Sequence, residues 1–151
     1  MGILSKINIR ADLANRLEII DMFEKSSESK KICEIGPGGK PLIIEYPING
    51  EFYGIEYPGC AEEPVKIFRQ NNKTILMKEC DLSRDKWPFE DNEFDVVVSN
   101  QVLEHMTNTD HFFEEFYRIS DRRDKKNTWR GKSDYSLLWR CRQHNLCPFN
   151  L

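Results

Sequence analysis

A chain of 151 residues, 31% charged and 39% hydrophobic, has the length of one domain and enough apolar side chains for a core, so a disordered chain is excluded. Its net charge of −3 conceals an asymmetry: residues 1–120 carry 14 Lys+Arg against 22 Asp+Glu, a net of −8, and residues 121–151 carry 8 Lys+Arg against 3 Asp, a net of +5. No apolar run approaches the about 20 residues of a membrane helix, Met1–Arg10 carries no secretory signal, and five cysteines without a C-x-x-C pair fit neither a disulfide framework nor a zinc knuckle. A cytoplasmic protein with reduced thiols is the expectation.

The spacing of Ile9, Leu13, Leu17 and Ile20, with Asn8 as cap, predicts an N-terminal helix within residues 1–30. A first strand is expected over Lys31–Ile35, ended by Gly36-Pro37-Gly38-Gly39. Ile48-Asn49-Gly50 reads as a turn, and Phe52–Glu56 as the second strand. Glu63–Gln70 reads as a short helix with Pro64 in its first turn. Thr74–Met77 is the third strand, running toward Asp81. Glu93–Ser99 is the fourth, and its β-branched run predicts a strand covered on both faces. Thr109–Ser120 reads as a helix with Phe112, Phe113, Phe116, Tyr117 and Ile119 inward and Glu114, Glu115 and Arg118 outward. Strands alternating with helices predict an α/β fold with a parallel sheet.

The informative unit is a strand carrying an acid and then glycines, Glu34-Ile35-Gly36-Pro37-Gly38-Gly39. Open parallel sheets bind ligands at the carboxyl ends of their strands, and glycines there let the backbone approach closely. Glu56 ends the second strand, where a carboxylate can accept both hydroxyls of a ribose. Asp81 ends the third, where a carboxylate can accept the amine of an adenine. Three acids at successive strand ends would line one crevice suited to an amino acid group, a ribose and a base.

These residues resemble the class I S-adenosylmethionine-dependent methyltransferases, in particular their type 11 branch. Ile32–Gly38, Glu56 and Cys80-Asp81-Leu82 stand as its first three motifs. Trp87–Val97 with Val102-Leu103-Glu104-His105 is the fourth and most specific. The resemblance covers about residues 30–120. It implies a Rossmann-like parallel sheet, in the order 3-2-1-4-5-7-6, and S-adenosyl-L-methionine as cofactor. It implies that Glu34, acting through the glycine loop, with Gly36 and Gly38, serves the methionine end, and that Glu56 holds the ribose. Asp81 would take the adenine amine with Leu82 at the ring, and Asn100 and Gln101 would stand beside the methionine moiety. His105 is the candidate catalytic base, with local packing as the alternative. Gln101 stands where a related metal-dependent branch has an acid, so no metal is expected. Trp87 either covers the adenine or is core. A nicotinamide-dinucleotide site is disfavoured, because Pro41 replaces the third glycine and no long helix follows the turn. The helix-poor link of residues 40–47 also departs from the methyltransferase pattern.

Residues 31–120 thus read as the cofactor-binding half of a methyltransferase, and 121–151 as a basic, atypical tail where the family places a fifth strand. One reading is a frameshift near Ser120. One base forward, Trp129-Arg130 encodes Gly and Thr128-Trp129 can encode Pro, which permits the family's turn. The other readings are a disordered tail, or a nucleic-acid-binding extension with Trp129, Tyr135 and Trp139 as stacking residues; nucleic acid is not the expected partner. Without a fifth strand, strand four would become an apolar edge and most of the substrate side would be missing. The function expected is in-line transfer of the sulfonium methyl to an unidentified acceptor. The alternative is an inactive, cofactor-binding or interaction remnant.

Overall fold

Apolar segments of four to six residues, each stopped by glycine or a polar turn, form the strands β1 (Lys31–Ile35), β2 (Glu51–Glu56), β3 (Ile75–Glu79) and β4 (Val96–Ser99). The structure is a computed structural model; it describes residues 31–45, 50–120, 136 and 137, together with Leu17. All but Leu17 of the helix expected around Ile9–Ile20, the residues before Gly50 in the expected turn, and all but two residues of the basic tail lie outside the described residues.

All strands are parallel, in the order β3-β2-β1-β4-β5. The last of these, β5 (Ser136–Leu137), pairs with Val97 and Val98. This corrects the expectation that β4 is the edge. Ser120 also bridges Phe94 in parallel on the same flank. An apolar strand leaves a row of backbone donors and acceptors that favours a further strand beside it. Here the tail's one apolar cluster supplies two residues of it.

In a parallel register, paired residues share a face. One face carries Cys33, Ile35, Ile55 and Val97, and packs against Leu82, Trp87, Phe89, Phe94 and the helix α2 (Thr109–Ile119). The other carries Ile32, Phe52, Ile75, Val96 and Val98. It packs against Leu42, Ile43 and Phe68 of the helix α1 (Glu62–Gln70). All four β4 residues are buried, Val96 to Val98 as their unbroken apolar run requires and Ser99 beside them. Glu62 and Glu63 favour the amino end of α1 electrostatically. Asn108 caps α2 by accepting the His111 N–H at 3.1 Å.

Among the described residues, two links lack α-helices and are held by buried carboxylates instead. Between β1 and β2, both Glu34 oxygens accept the Leu42 N–H, at 2.9 and 2.8 Å, and one accepts the Ile43 N–H at 3.1 Å. That is the capping a short 3₁₀ turn over Ile43–Glu45 needs. Between β3 and β4, Glu115 accepts the Trp87 N–H at 2.7 Å and pairs with Arg118, whose guanidinium also reaches the carbonyls of Trp87 and Phe89 and the carboxylate of Asp91. The sequence reading turned Glu115 and Arg118 outward. The structure turns both inward, where they bond backbone groups of the helix-free segment 80–94.

Burial alone would raise the Glu115 carboxyl, but the bonds from Arg118 and the Trp87 N–H outweigh it and hold the group below its ordinary 4.5. A depressed carboxyl stabilises the fold fully above its unfolded value and loses that contribution as pH falls through the folded one. Glu115→Gln is expected to cost about 3 kcal/mol at neutral pH. Denaturant unfolding should show the gap between variant and parent closing below the ordinary carboxylate range.

Candidate functional site

The parallel sheet brings the carboxyl ends of β1 to β4 to one side, and there a cavity of about 510 Å³ opens, within the usual size of a small-molecule site. Each strand end supplies part of its wall. Gly36 and Gly38 follow β1, Glu56 and Tyr57 close β2, Asp81 to Arg84 follow β3, and Gln101, Val102, His105, Met106 and Thr107 follow β4. The ladder extends into this rim: the Gly36 N–H bonds the Ile55 carbonyl at 2.9 Å, and the Cys80 N–H bonds the Glu56 carbonyl at 3.0 Å.

Gly36 sits at φ +65°, and a Cβ there would lie 2.5 Å from Val102 Cγ2. Only glycine relieves both problems. Gly38, at φ +50°, turns its N–H onto Glu56 Oε1 at 2.6 Å. The Tyr57 N–H reaches the other oxygen at 3.3 Å. Burial raises the Glu56 carboxyl above its ordinary range, the two backbone bonds pull it back, and Glu63 and Glu79 push it further up. Each Glu56 oxygen keeps acceptor capacity beyond these bonds.

Asp81 organises the turn after β3. Its Oδ1 accepts the Ser83 N–H at 3.0 Å, its own N–H bonds Asp85 at 2.9 Å, and Arg84 approaches Oδ2 at 3.8 Å. Two contacts tie this turn to neighbouring elements: the Thr107 N–H, across the cavity, donates to Ser83 Oγ at 3.1 Å, and Nε2 of His111 on α2 lies 2.8 Å from the Asp85 carbonyl. Gln101 takes φ +57°, a left-handed conformation that a non-glycine residue adopts at some cost, and this turns the chain along the wall after β4.

The cavity therefore gathers Gly36, Gly38, Glu56, Asp81, Leu82, Gln101 and His105 from the expected set. Glu34 is not in the wall; it is buried below and braces the loop through Leu42 and Ile43. Asn100 is half-buried and also lies outside the lining. Trp87, 1% exposed, is core: its ring packs edge-on to Phe112 and its Nε1–H donates to the Leu82 carbonyl at 3.4 Å. Cys33 and Cys80 are buried; burial, with nearby carboxylates, raises both thiols, Cys80 to about 11, so they are packing groups rather than nucleophiles. The sequence reading missed Tyr57, Ser83, Arg84, Val102, Met106 and Thr107 in the wall. The available signal was their place within a few residues of a strand's carboxyl end. Among the described residues, no cluster of His, Cys, Asp and Glu has a metal-binding arrangement, and no helix is long and apolar enough to cross a membrane.

Gly36→Ala combines backbone strain with the Val102 collision and is expected to cost about 3 kcal/mol. Gly38→Ala meets nothing closer than Glu56 Oε1 at 4.0 Å and is expected to cost about 1 kcal/mol, chiefly from φ. Equilibrium denaturation of the two variants checks the order.

No curated protein matches the chain. A candidate S-adenosyl-L-methionine-dependent methyltransferase from Methanococcus maripaludis superposes with a TM-score of 0.58 at 23% identity, over 69% of this chain and 48% of that one. The YcgJ protein of Bacillus subtilis gives 0.57 at 13% identity, over 68% and 45%. The trans-methyltransferase CalH, solved in complex with SAH, gives 0.55 at 19% identity, over 72% and 35%. The chain thus spans less than half the length of these structures, and at such identities they show a shared fold. The methyltransferase domain family model matches residues 34–122, more than half of the 151-residue chain. By that match, and with the sheet order and cavity described, the chain belongs to the methyltransferase domain family.

Proposed function

We propose that the cavity binds S-adenosyl-L-methionine and that residues 31–120 are the cofactor-binding half of a methyltransferase working in a cytoplasmic setting. The observation that carries this reading is the set of groups on the rim: a glycine turn that a Cβ would block, and carboxylates at the ends of β2 and β3 in one cavity. The chemistry of this donor set fits a nucleoside joined to an amino acid. Glu56 accepts the ribose hydroxyls, with Gly38 and Tyr57 fixing its orientation. Asp81 accepts the exocyclic amine of the base while its turn holds Leu82 beneath the ring. Gly36 and Gly38 admit the amino acid end, and Glu34 keeps their loop in place from below.

When bound, the cofactor supplies an activated methyl on a sulfonium. The chain's own part is to orient it, to exclude water and to take a proton. Gln101 and Asn100, just past β4, stand toward the methionine side. His105, exposed on the 3₁₀ turn Leu103–His105 and lining the cavity, would take the proton that the acceptor gives up on methylation. The acceptor is a small molecule or other nucleophile. The match covers less than half of each of the similar structures, and transfer by this chain stands or falls with the same test.

Calorimetry with S-adenosyl-L-methionine and S-adenosylhomocysteine tests the reading. Binding at micromolar affinity is expected, with Glu56→Gln and Asp81→Asn each losing about tenfold or more. Affinity should fall on acidification from a higher pH than for an ordinary carboxylate, because burial raises Glu56 and the bound hydroxyls need its ionised form. Failure of both ligands to bind would sink the cofactor assignment. Binding without transfer of a labelled methyl to any cell-extract component would leave a cofactor-binding remnant.

A further inference from the structure

Glu115 and Arg118 lie on α2, outside the cavity wall, yet their bonds converge on one residue of the segment that leaves it. Glu115 takes the Trp87 N–H at 2.7 Å, and Arg118 Nη2 donates to the Trp87 carbonyl at 2.9 Å. Both backbone polar groups of Trp87 are thus held by one ion pair. That pair is itself closed on two prongs, Nε to Oε1 at 2.9 Å and Nη2 to Oε2 at 2.7 Å. Arg118 Nη1 extends the grip to the Phe89 carbonyl at 2.8 Å. A planar five-donor fork can serve these directions together, and a lysine ammonium cannot.

The Trp87 ring is as fixed as its backbone. It is 1% exposed and meets Phe112 edge-on with centroids 5.3 Å apart. Its indole N–H, a donor only, is spent on the Leu82 carbonyl at 3.4 Å. Leu82 is the wall residue between Asp81 and Ser83. The far side of that turn has separate tethers, Thr107 on Ser83 and His111 on Asp85. Loosening Trp87 therefore moves Leu82 without releasing the whole turn.

The geometry points to Glu115 and Arg118 as positioning residues for the nucleoside wall: the pair fixes Trp87, and Trp87 sets the depth of Leu82. This deepens the cofactor reading of the cavity and rests on it. The ligand served is an adenine nucleoside, and the relay acts on its affinity from residues that never touch it.

Two conservative variants and their combination test the relay. Arg118→Lys keeps the charge and removes the fork; Trp87→Phe keeps a ring and removes the N–H. In the unliganded protein, hydrogen exchange of segment 81–86 is expected to rise about tenfold in each variant. Loosening confined to 87–91, with 81–86 as protected as in the parent, overturns the proposal. This arm needs no ligand, so it decides the relay even where the cofactor reading fails. In the second arm, the Kd for S-adenosylhomocysteine is measured on protein whose circular dichroism matches the parent. It should rise about tenfold in each single variant and no further in the double variant. Multiplying effects, or unchanged affinity, overturn the relay, because a purely structural pair changes the folded fraction and not the affinity of what is folded. Should Arg118→Lys fail to fold, Glu115→Gln carries both readouts for the ion pair, and Trp87→Phe carries them for the link to Leu82.

Discussion

Everything at the cavity depends on four strands running in one direction in one register. Pairing Ile35 with Ile55 and with Ser99 puts the ends of β1, β2 and β4 side by side, and pairing Glu56 with Glu79 brings up β3. The residues just past those ends must then meet. The same alternation that buries Ile35 and Ile55 on one face sets Glu56 where Gly38 can reach it. A slip of one residue would exchange the two faces along a whole strand and shift its end out of line with the others. The hydrophobic faces that hold the sheet therefore also place the acids.

The long links need another kind of restraint. Among the described residues, 36–45 hold only the 3₁₀ turn Ile43–Glu45 and 80–95 hold no α-helix, so turn bonds pair only some of their backbone groups. Glu34 and the Glu115–Arg118 pair supply further partners from neighbouring elements. Burying charge is costly, and it is tolerated here because each group meets several bonds in good geometry. The result is a rim whose two less regular segments are tied to β1 and to α2 by side-chain bonds. One of these braces lies directly beneath the glycine turn, and the other behind Leu82.

Much of this was legible in the amino-acid order. Apolar runs that stop at Gly36, Glu56, Asp81 and Asn100 mark strand ends, and a parallel sheet turns strand ends into a site. Reading failed where position alone did not carry the information. Helical spacing treats Glu115 and Arg118 as outward charges, since nothing in a period of 3.6 records that an unhelical segment lies alongside. Glu34 finds its partners eight and nine residues on, in a stretch with no period. Gln101 and Asn100 look equivalent in sequence, and only the positive φ of Gln101 brings that residue into the wall. Ser136 and Leu137 form too short a strand to show any pattern, and a basic composition surrounds them.

The central claim is that the four strand ends form one nucleoside site. Amide chemical shifts during titration with S-adenosylhomocysteine test it most directly. The account predicts that Gly36, Gly38, Tyr57, Leu82 and Val102 shift together with one dissociation constant, while Lys66 and Gln70 on α1 stay in place. Shifts that cluster on α1, or none at the four strand ends at millimolar ligand, would contradict it.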